Sequence, residues 1–324
     1  MRYRKLGRTG LTVSEIGFGC WGLGGDSYGP TDDYVSIRSL RLAFELGVNF
    51  FDTADTYGNG HSEEVIGKAL SDVRGQIILA TKGGTLPHFG FEMPQDFSPE
   101  HLREAVEASL KRLKTDYIDL YQLHSPPSDL LIDKQRMEEI VELIIKVKEE
   151  GKILHFGISL RTPQDGLIVV RDLGFGVVQV NFNLIDQRSI ENGLFHYCER
   201  TEVGVIARTP FAFGFLSGCY SRGEKFYPPD HRSNWPQKQI DLWAQAPEFF
   251  APLNINKNRS IAQLSLAFCL ALEAVSTVIP GMMTEEEVKC NTAIADLAPL
   301  TAEELAEIKK IYTQNIFYLG RKVA

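Results

Sequence analysis

Short apolar runs rich in β-branched and aromatic residues recur along the chain at residues 15–19, 48–52, 76–81, 117–123, 153–159, 177–181, 204–208 and 275–280. Segments 33–46, 62–70, 99–113, 137–150, 163–173 and 261–271 fall between them and carry apolar residues at helical spacing. This alternation predicts a parallel sheet with right-handed crossovers, and eight such units close an α/β fold of the (β/α)8 TIM-barrel type. Ahead of the first unit, segments 3–6 and 11–14 flank Gly7-Arg8-Thr9-Gly10 and read as a β-hairpin capping the lower mouth, and an extra helix is expected at the C-terminal end. The longest irregular stretch, residues 219–235, follows the seventh strand and carries Tyr220, Phe226, Tyr227, His231 and Trp235. Loops of that length inside a compact domain are usually functional. No linker-like composition divides residues 1–324, so the chain reads as one barrel domain.

The first run leads into Gly17-Phe18-Gly19-Cys20-Trp21-Gly22, which matches G-x-G-x-x-G, the pattern of a dinucleotide-binding turn. Such a turn needs a helix that opens inside the motif, so that a pyrophosphate rests on its N-terminus. Here residues 23–31, Leu-Gly-Gly-Asp-Ser-Tyr-Gly-Pro-Thr, delay any helix to Asp32 or Asp33. The match is coincidental, and the segment becomes the loop after the first barrel strand.

Composition narrows the function classes. Hydrophobic residues at 44% and charged residues at 23% are ordinary globular usage. A net charge of −8 argues against a nucleic-acid or anionic-membrane surface, which leaves a small molecule as the expected partner; oligomeric state is open. The longest apolar region, 261–280, is interrupted by Gln263, Ser265, Glu273 and Ser276 and reads as a buried helix and strand. The basic start lacks the apolar stretch of a secretory signal, so the expected compartment is the cytoplasm. Five cysteines without C-x-x-C spacing suit a reducing environment, and no metal site is expected.

Active sites of such barrels form at the C-terminal strand ends. There the second strand supplies Asp52 and, in the following loop, Tyr57; the third supplies Lys82; the fourth supplies His124. A tyrosine works as a general acid near neutral pH if a neighbouring ammonium lowers its pKa from about 10, and Lys82 is placed to do this. Asp52 would keep the buried lysine charged, and His124 would orient a carbonyl by hydrogen bonding. The set suits protonation of an oxygen as hydride arrives at its carbon.

Residues 51–58, F-D-T-A-D-T-Y-G, followed by Ser62-Glu63 and Gly67-Lys68-Ala69-Leu70, resemble the aldo-keto reductase signature, and the similarity extends over nearly the whole chain. The resemblance implies an NADPH- or NADH-dependent barrel that reduces aldehydes and ketones through an Asp, Tyr, Lys, His tetrad. It implies Tyr57 as general acid, Lys82 and Asp52 as its tuning pair, and His124 as the group that orients the carbonyl. Histidine rather than glutamate at position 124 points to carbonyl reduction rather than reduction of an activated C=C bond.

Cofactor contacts carry over residue by residue. Gly19, Cys20 and Trp21 would border the nicotinamide, with Ser159 and Gln179 at its carboxamide, although Leu160 stands where the family pattern has Asn. The segment Arg208-Thr209-Pro210-Phe211, continuing through Gly214, Leu216 and Ser217, would wrap the pyrophosphate, with Arg208 in place of the stacking aromatic. A planar guanidinium can stack on a ring, and its charge suggests a bias toward reduction or a grip on an anionic or polyhydroxylated substrate. The plain alternative is an arginine paired with a nearby carboxylate. Gly281, Met283, Glu287 and Asn291 occupy the segment facing the adenosine ribose. Met283 and Glu287 replace the expected basic or amide residues, so the reading leans to NADH, with Lys289 or another residue still able to reach a 2′-phosphate. Trp21, Tyr28, Tyr57 and His124 would line the substrate pocket, suited to a sugar or hydroxy-carbonyl compound. A competing reading is a non-catalytic nicotinamide-binding subunit resembling potassium-channel β-subunits, since fold does not fix function.

Overall fold

The computed structural model describes residues 1–88, 93–254 and 259–320. Strands β1 (Tyr3–Lys5) and β2 (Thr12–Ser14) form an antiparallel hairpin. Strands β3 (Phe18–Gly19), β4 (Phe50–Asp52), β5 (Ile78–Gly83), β6 (Ile118–His124), β7 (Ile153–Ser159), β8 (Val177–Asn181), β9 (Gly204–Arg208) and β10 (Val275–Ile279) follow in parallel, each beside its sequence neighbour. Bridges from Ile16 to Val278 and from Gly19 to Gly281 bring the first strand against the last. The result is a nearly closed eight-stranded barrel. Gly19 permits this closure, because a Cβ there would lie 2.7 Å from the Ile279 carbonyl.

Helices surround the sheet: α1 (Asp33–Glu45), α2 (His61–Leu70), α3 (Pro99–Leu113), α4 (Ser128–Ile132), α5 (Lys134–Glu149), α6 (Arg188–Glu191), α7 (Leu194–Thr201), α8 (Gln237–Phe250), α9 (Ile261–Leu270), α10 (Glu285–Thr292) and α11 (Ala302–Gln314). Their starts are written in the sequence. Asp32, Ser98 and Asp133 accept backbone N–H groups at the openings of α1, α3 and α5, and Ser260, Thr284 and Thr301 form capping boxes on α9, α10 and α11. No α-helix opens inside the glycine motif; a 3-10 turn, Trp21–Gly24, sits there instead.

Residues 163–173 depart from the expected helix. They form a short 3-10 turn, Pro163–Asp165, and a π-type turn, Ile168–Asp172. The adjacent β-branched Ile168, Val169 and Val170 and the nearby Gly166 are poor α-helix formers. The core has two parts. An extensive apolar shell joins the outer face of the sheet to the helices, and a smaller cluster of Leu6, Val13, Phe50, Ile78, Ala80, Leu120, Val177, Ile206 and Ile279 fills the barrel interior at its lower end. Leu6 and Val13 come from the hairpin, which plugs the bottom. Among the described residues, no helix is long and apolar enough to cross a membrane.

Candidate active site

Side chains alternate along a strand, so residues two apart share a face. Phe50 lies in the lower interior cluster, which places Asp52 on the same inward face one step higher; Ile78 and Ala80 place Lys82, and Leu120 places Gln122 and His124, by the same rule. Asp52, Lys82, Gln122 and His124 are all buried. Tyr57 arrives from the loop after β4, whose Gly58 packs on the backbone of Gly24 and donates its N–H to Asp26. That contact joins the loops after β3 and β4.

Lys82 Nζ donates to Asp52 Oδ1 at 2.5 Å, to the Thr53 carbonyl at 2.7 Å and to Tyr57 Oη at 3.2 Å. Three ammonium hydrogens meet three acceptors, which fixes the lysine head. Tyr57 Oη accepts here, so its own hydrogen is free to be given to a ligand. The other Asp52 oxygen, Oδ2, accepts from Gln179 Nε2 at 2.7 Å and from Gln122 Nε2 at 3.1 Å. Gln122 escaped the sequence reading. Its signal was a polar residue two positions before His124, on the same face of a strand buried throughout.

Burial lowers the Lys82 pKa, but Asp52 and Tyr57 raise it by more, so the ammonium is held above its ordinary value. Tyr57 differs from the expectation. Burial raises its pKa and outweighs the lowering by Lys82 and, more weakly, by Arg208, so the phenol stays protonated through neutral pH. Burial pulls His124 well below the usual histidine range, helped by Lys82, Arg208 and His88. The ring is neutral at pH 7, stands edge-on to Tyr57 at 5.8 Å, and has a buried Nδ1 with no hydrogen-bond partner.

Trp21 forms one wall, with ring centroids 6.3 Å from Tyr57, 5.3 Å from Tyr28 and 4.6 Å from His231. His231 and Trp235 come from the long segment 219–235. The backbone N–H and Nδ1 of His231 both meet the Ser27 carbonyl, which clips that segment over the loop after β3. Trp21, Tyr28 and Tyr57 therefore lie together, and His231 and Phe213, not singled out from the sequence as pocket residues, complete an aromatic wall.

Ser159 and Gln179 pair across β7 and β8, with Ser159 Oγ donating to Gln179 Oε1 at 3.3 Å. Arg208 ends β9 and reaches back to the Leu160 carbonyl through Nη2 at 3.0 Å. Among the described residues, no carboxylate lies within ion-pair distance of Arg208, which removes the plain paired-arginine reading. In the loop that follows, Thr209, Ala212 and Phe213 have φ of 58°, 45° and 60°, and Gly214 has φ of 96°. Three non-glycine residues in the left-handed region within a few positions is stored backbone strain, typical of a loop shaped around a ligand. Pro210 and Leu216 are buried, Phe211 is half-buried, and Ser217 Oγ donates to the Gly214 carbonyl.

Across the mouth, Cys20 is buried and its thiol is pushed up by burial, so it acts as a small filler. Gly281 bridges Gly19, and Met283 packs against Gly22, leaving no room for a side chain there. Glu287 Oε2 accepts the N–H groups of Met283 at 2.6 Å and Thr284 at 3.1 Å, closing the first turn of α10. Arg38 on α1 is ion-paired with Glu285, and Asn291 is buried in the last turn of α10.

A buried ammonium and carboxylate, a protonated phenol and a neutral imidazole thus come together at the C-terminal mouth of a (β/α)8 barrel. The aldo/keto reductase family pattern matches residues 15–313, and the chain belongs to this family of oxidoreductases, which act on carbonyl compounds with NAD(P)H. It is 34% identical to an uncharacterized oxidoreductase of Bacillus subtilis over 99% of this chain and 100% of that protein. A probable voltage-gated potassium channel subunit beta of Oryza sativa subsp. japonica is 28% identical, with 95% of each chain covered. The structure of the glycerol dehydrogenase from Gluconobacter oxydans superposes with a TM-score of 0.81 at 28% identity, covering 98% of this chain and 96% of that one. The chain is an enzyme of this family.

The residues at the mouth are compatible with the nicotinamide cofactor that the family uses. His124 Nδ1 and Arg208 Nε are buried without partners, and the strained loop follows Arg208 directly, so polar atoms remain there for a polar ligand to meet.

Proposed function

We propose that this enzyme reduces an aldehyde or ketone to the alcohol, with Tyr57 as the general acid. Bound in the mouth, NAD(P)H supplies hydride to the carbonyl carbon. Tyr57 gives its proton to the carbonyl oxygen, and Lys82, already hydrogen-bonded to Tyr57 Oη, stabilises the phenolate that remains. Asp52 keeps Lys82 charged, and Gln122 and Gln179 hold Asp52 in place. Neutral His124 donates a hydrogen bond to the same oxygen and keeps it aimed at Tyr57. The observation that carries this reading is the buried chain Asp52–Lys82–Tyr57, which ends in a phenol whose hydrogen no group among the described residues takes.

The substrate class we favour is a small hydroxy-carbonyl compound or sugar. Its support is the mixed aromatic and polar wall of Trp21, Tyr28 and His231; the glycerol dehydrogenase relative acts on a molecule of similar polarity. For the cofactor we favour NADH. Glu287 occupies the backbone donors at the start of α10 and sets a negative charge there, while Arg38 is committed to Glu285. Ser159, Gln179, Arg208 and the 209–217 loop would hold the nicotinamide and pyrophosphate, and Gly281, Met283, Glu287 and Asn291 the adenosine end.

The test is steady-state oxidation of NADH and of NADPH with a panel of aldehydes, ketones and aldoses, repeated with Tyr57→Phe. Turnover of carbonyl substrates that the variant loses by at least about a hundredfold is expected. Full activity in the variant would remove Tyr57 from the mechanism. Tight cofactor binding with no turnover on any substrate would favour a regulatory role like that named for the rice potassium-channel relative.

A further inference from the structure

The hydrogen-bond account at the top of β7, β8 and β9 does not balance, and the imbalance points to a ligand atom. Gln179 Nε2 has two hydrogens, one on Asp52 Oδ2 and the other directed at Gln122 Oε1, 3.2 Å away. Ser159 has a single hydroxyl hydrogen, and it goes to Gln179 Oε1. Both residues therefore face a ligand with lone pairs only. Leu160, next along the chain, contributes no polar side-chain atom, and its N–H is taken by the Gln179 carbonyl. A carboxamide presents two N–H donors and one carbonyl oxygen. With these bonds kept, Ser159 and Gln179 can receive the donors and leave the oxygen without one.

Arg208 has the missing donor. Arg208 ends β9 opposite Asn181, two residues beyond Gln179 on β8; its Nη2 is anchored across β8 on the carbonyl of Leu160, the residue after Ser159, and its Nε is buried with no partner. Left unmet, a buried charged N–H is costly, so the position calls for an acceptor. Resting on the reading of the site as a nicotinamide-dependent reductase, we infer that Arg208 Nε–H is the hydrogen-bond donor to the carboxamide oxygen of the nicotinamide. Arginine at 208 and leucine at 160 thus form one arrangement: the guanidinium supplies from β9 the donor that residue 160 does not.

The experiment is equilibrium binding, read by quenching of protein fluorescence, with no substrate present. Two probes are compared, NADH and its reduced thionicotinamide analogue, in which sulfur, a poor acceptor, replaces the carboxamide oxygen. In the unmodified enzyme the analogue binds about ten- to a hundredfold more weakly, the range expected for one hydrogen bond to a charged donor. Arg208→Met weakens NADH by a similar factor and abolishes the difference between the probes. Arg208→Lys, which keeps a charge and lacks Nε, also loses the discrimination. Persistence of the oxygen-over-sulfur preference in either variant overturns the assignment while leaving the reductase reading intact, because binding is scored without turnover. Failure of the unmodified enzyme to bind NADH or NADPH at all would instead remove the reductase reading and this inference with it.

Discussion

The two mouths of the barrel are built from the same strands and follow opposite rules. At the lower end the inward residues Phe50, Ile78, Ala80, Leu120, Val177 and Ile206 pack with Leu6 and Val13 of the hairpin into an apolar cluster. Two positions or more further along, the same faces carry Asp52, Lys82, Gln122, His124, Gln179 and Arg208. Charge occurs at both ends, but it is treated differently. Arg4, below, spends its guanidinium on Glu15 and on the carbonyls of Leu270, Leu272 and Val275, and Glu15 is shared with Arg2. Above, His124 Nδ1 and Arg208 Nε are buried without partners and the Tyr57 hydrogen is unclaimed. Below, the polar groups are spent on the fold; above, these three retain hydrogen-bonding capacity for a ligand.

The sharpest test of that contrast is a pair of substitutions one strand apart. Lys82→Met strips the counter-ion from buried Asp52, and breaking a buried pair this way costs about 3–5 kcal/mol of stability. Carbonyl reduction should fall by at least about a hundredfold per folded molecule as well, because Tyr57 loses its partner. Phe50→Ala opens a cavity in the lower cluster and should cost a similar ~3–5 kcal/mol in denaturant titration. Its kcat/KM per folded molecule should stay near that of the unmodified enzyme. A large kinetic defect from Phe50→Ala would show that the two ends are not separable.

This division explains what was legible beforehand. Three barrel strands, β7, β8 and β9, fall on the expected residues, because continuous β-branched runs bounded by turns carry the signal locally. The tetrad was readable for the same reason: each member sits at or just after a strand end. Helix α8 was missed because it opens after Pro236 and contains Pro247, which obscure its periodicity. His231 was noted only as part of a loop, since its contacts with Trp21 and Ser27 join segments some two hundred residues apart. That one oxygen of Glu287 closes the α10 capping box is not visible in the sequence, which shows only a carboxylate at that position. The acidity of Tyr57 was misjudged in sign, because the distance to Lys82 could be anticipated and the degree of burial could not.

That sign has a kinetic consequence. With the phenol held above its ordinary value of about 10, Tyr57 carries its proton throughout the neutral range. Reduction needs the protonated form, so its kcat should be flat from pH 6 to about 9 and decline only above about 10. Oxidation of the corresponding alcohol needs the phenolate and should rise by about tenfold per pH unit over the same range until the group titrates. Arg208→Met, which removes a charge that favours the phenolate, should move both limbs to higher pH by a fraction of a unit. Profiles measured in both directions on one substrate pair check this, and a reductive limb falling near pH 7 would mean that Lys82 outweighs burial after all.

The smallest expected effect lies at the rim of the upper mouth, where α10 begins. Glu287 is exposed and uses one oxygen to accept the N–H groups of Met283 and Thr284. A glutamine side chain at this position would present an amide oxygen to the same two donors, so Glu287→Gln should preserve the cap and remove only the charge. An exposed charge acting on a ligand phosphate is worth about 0.4–1 kcal/mol, so the ratio of kcat/KM for NADH over NADPH should fall about two- to fivefold. The loss should shrink in high salt, as an exposed electrostatic term must. Glu285→Gln, which releases Arg38 from its ion pair, should shift the ratio in the same direction by freeing a guanidinium for the 2′-phosphate. If neither substitution moves the ratio, cofactor choice does not reside in these carboxylates. The acidic first turn of α10 would then be only a well-capped helix start, saturated like the charges at the bottom of the barrel.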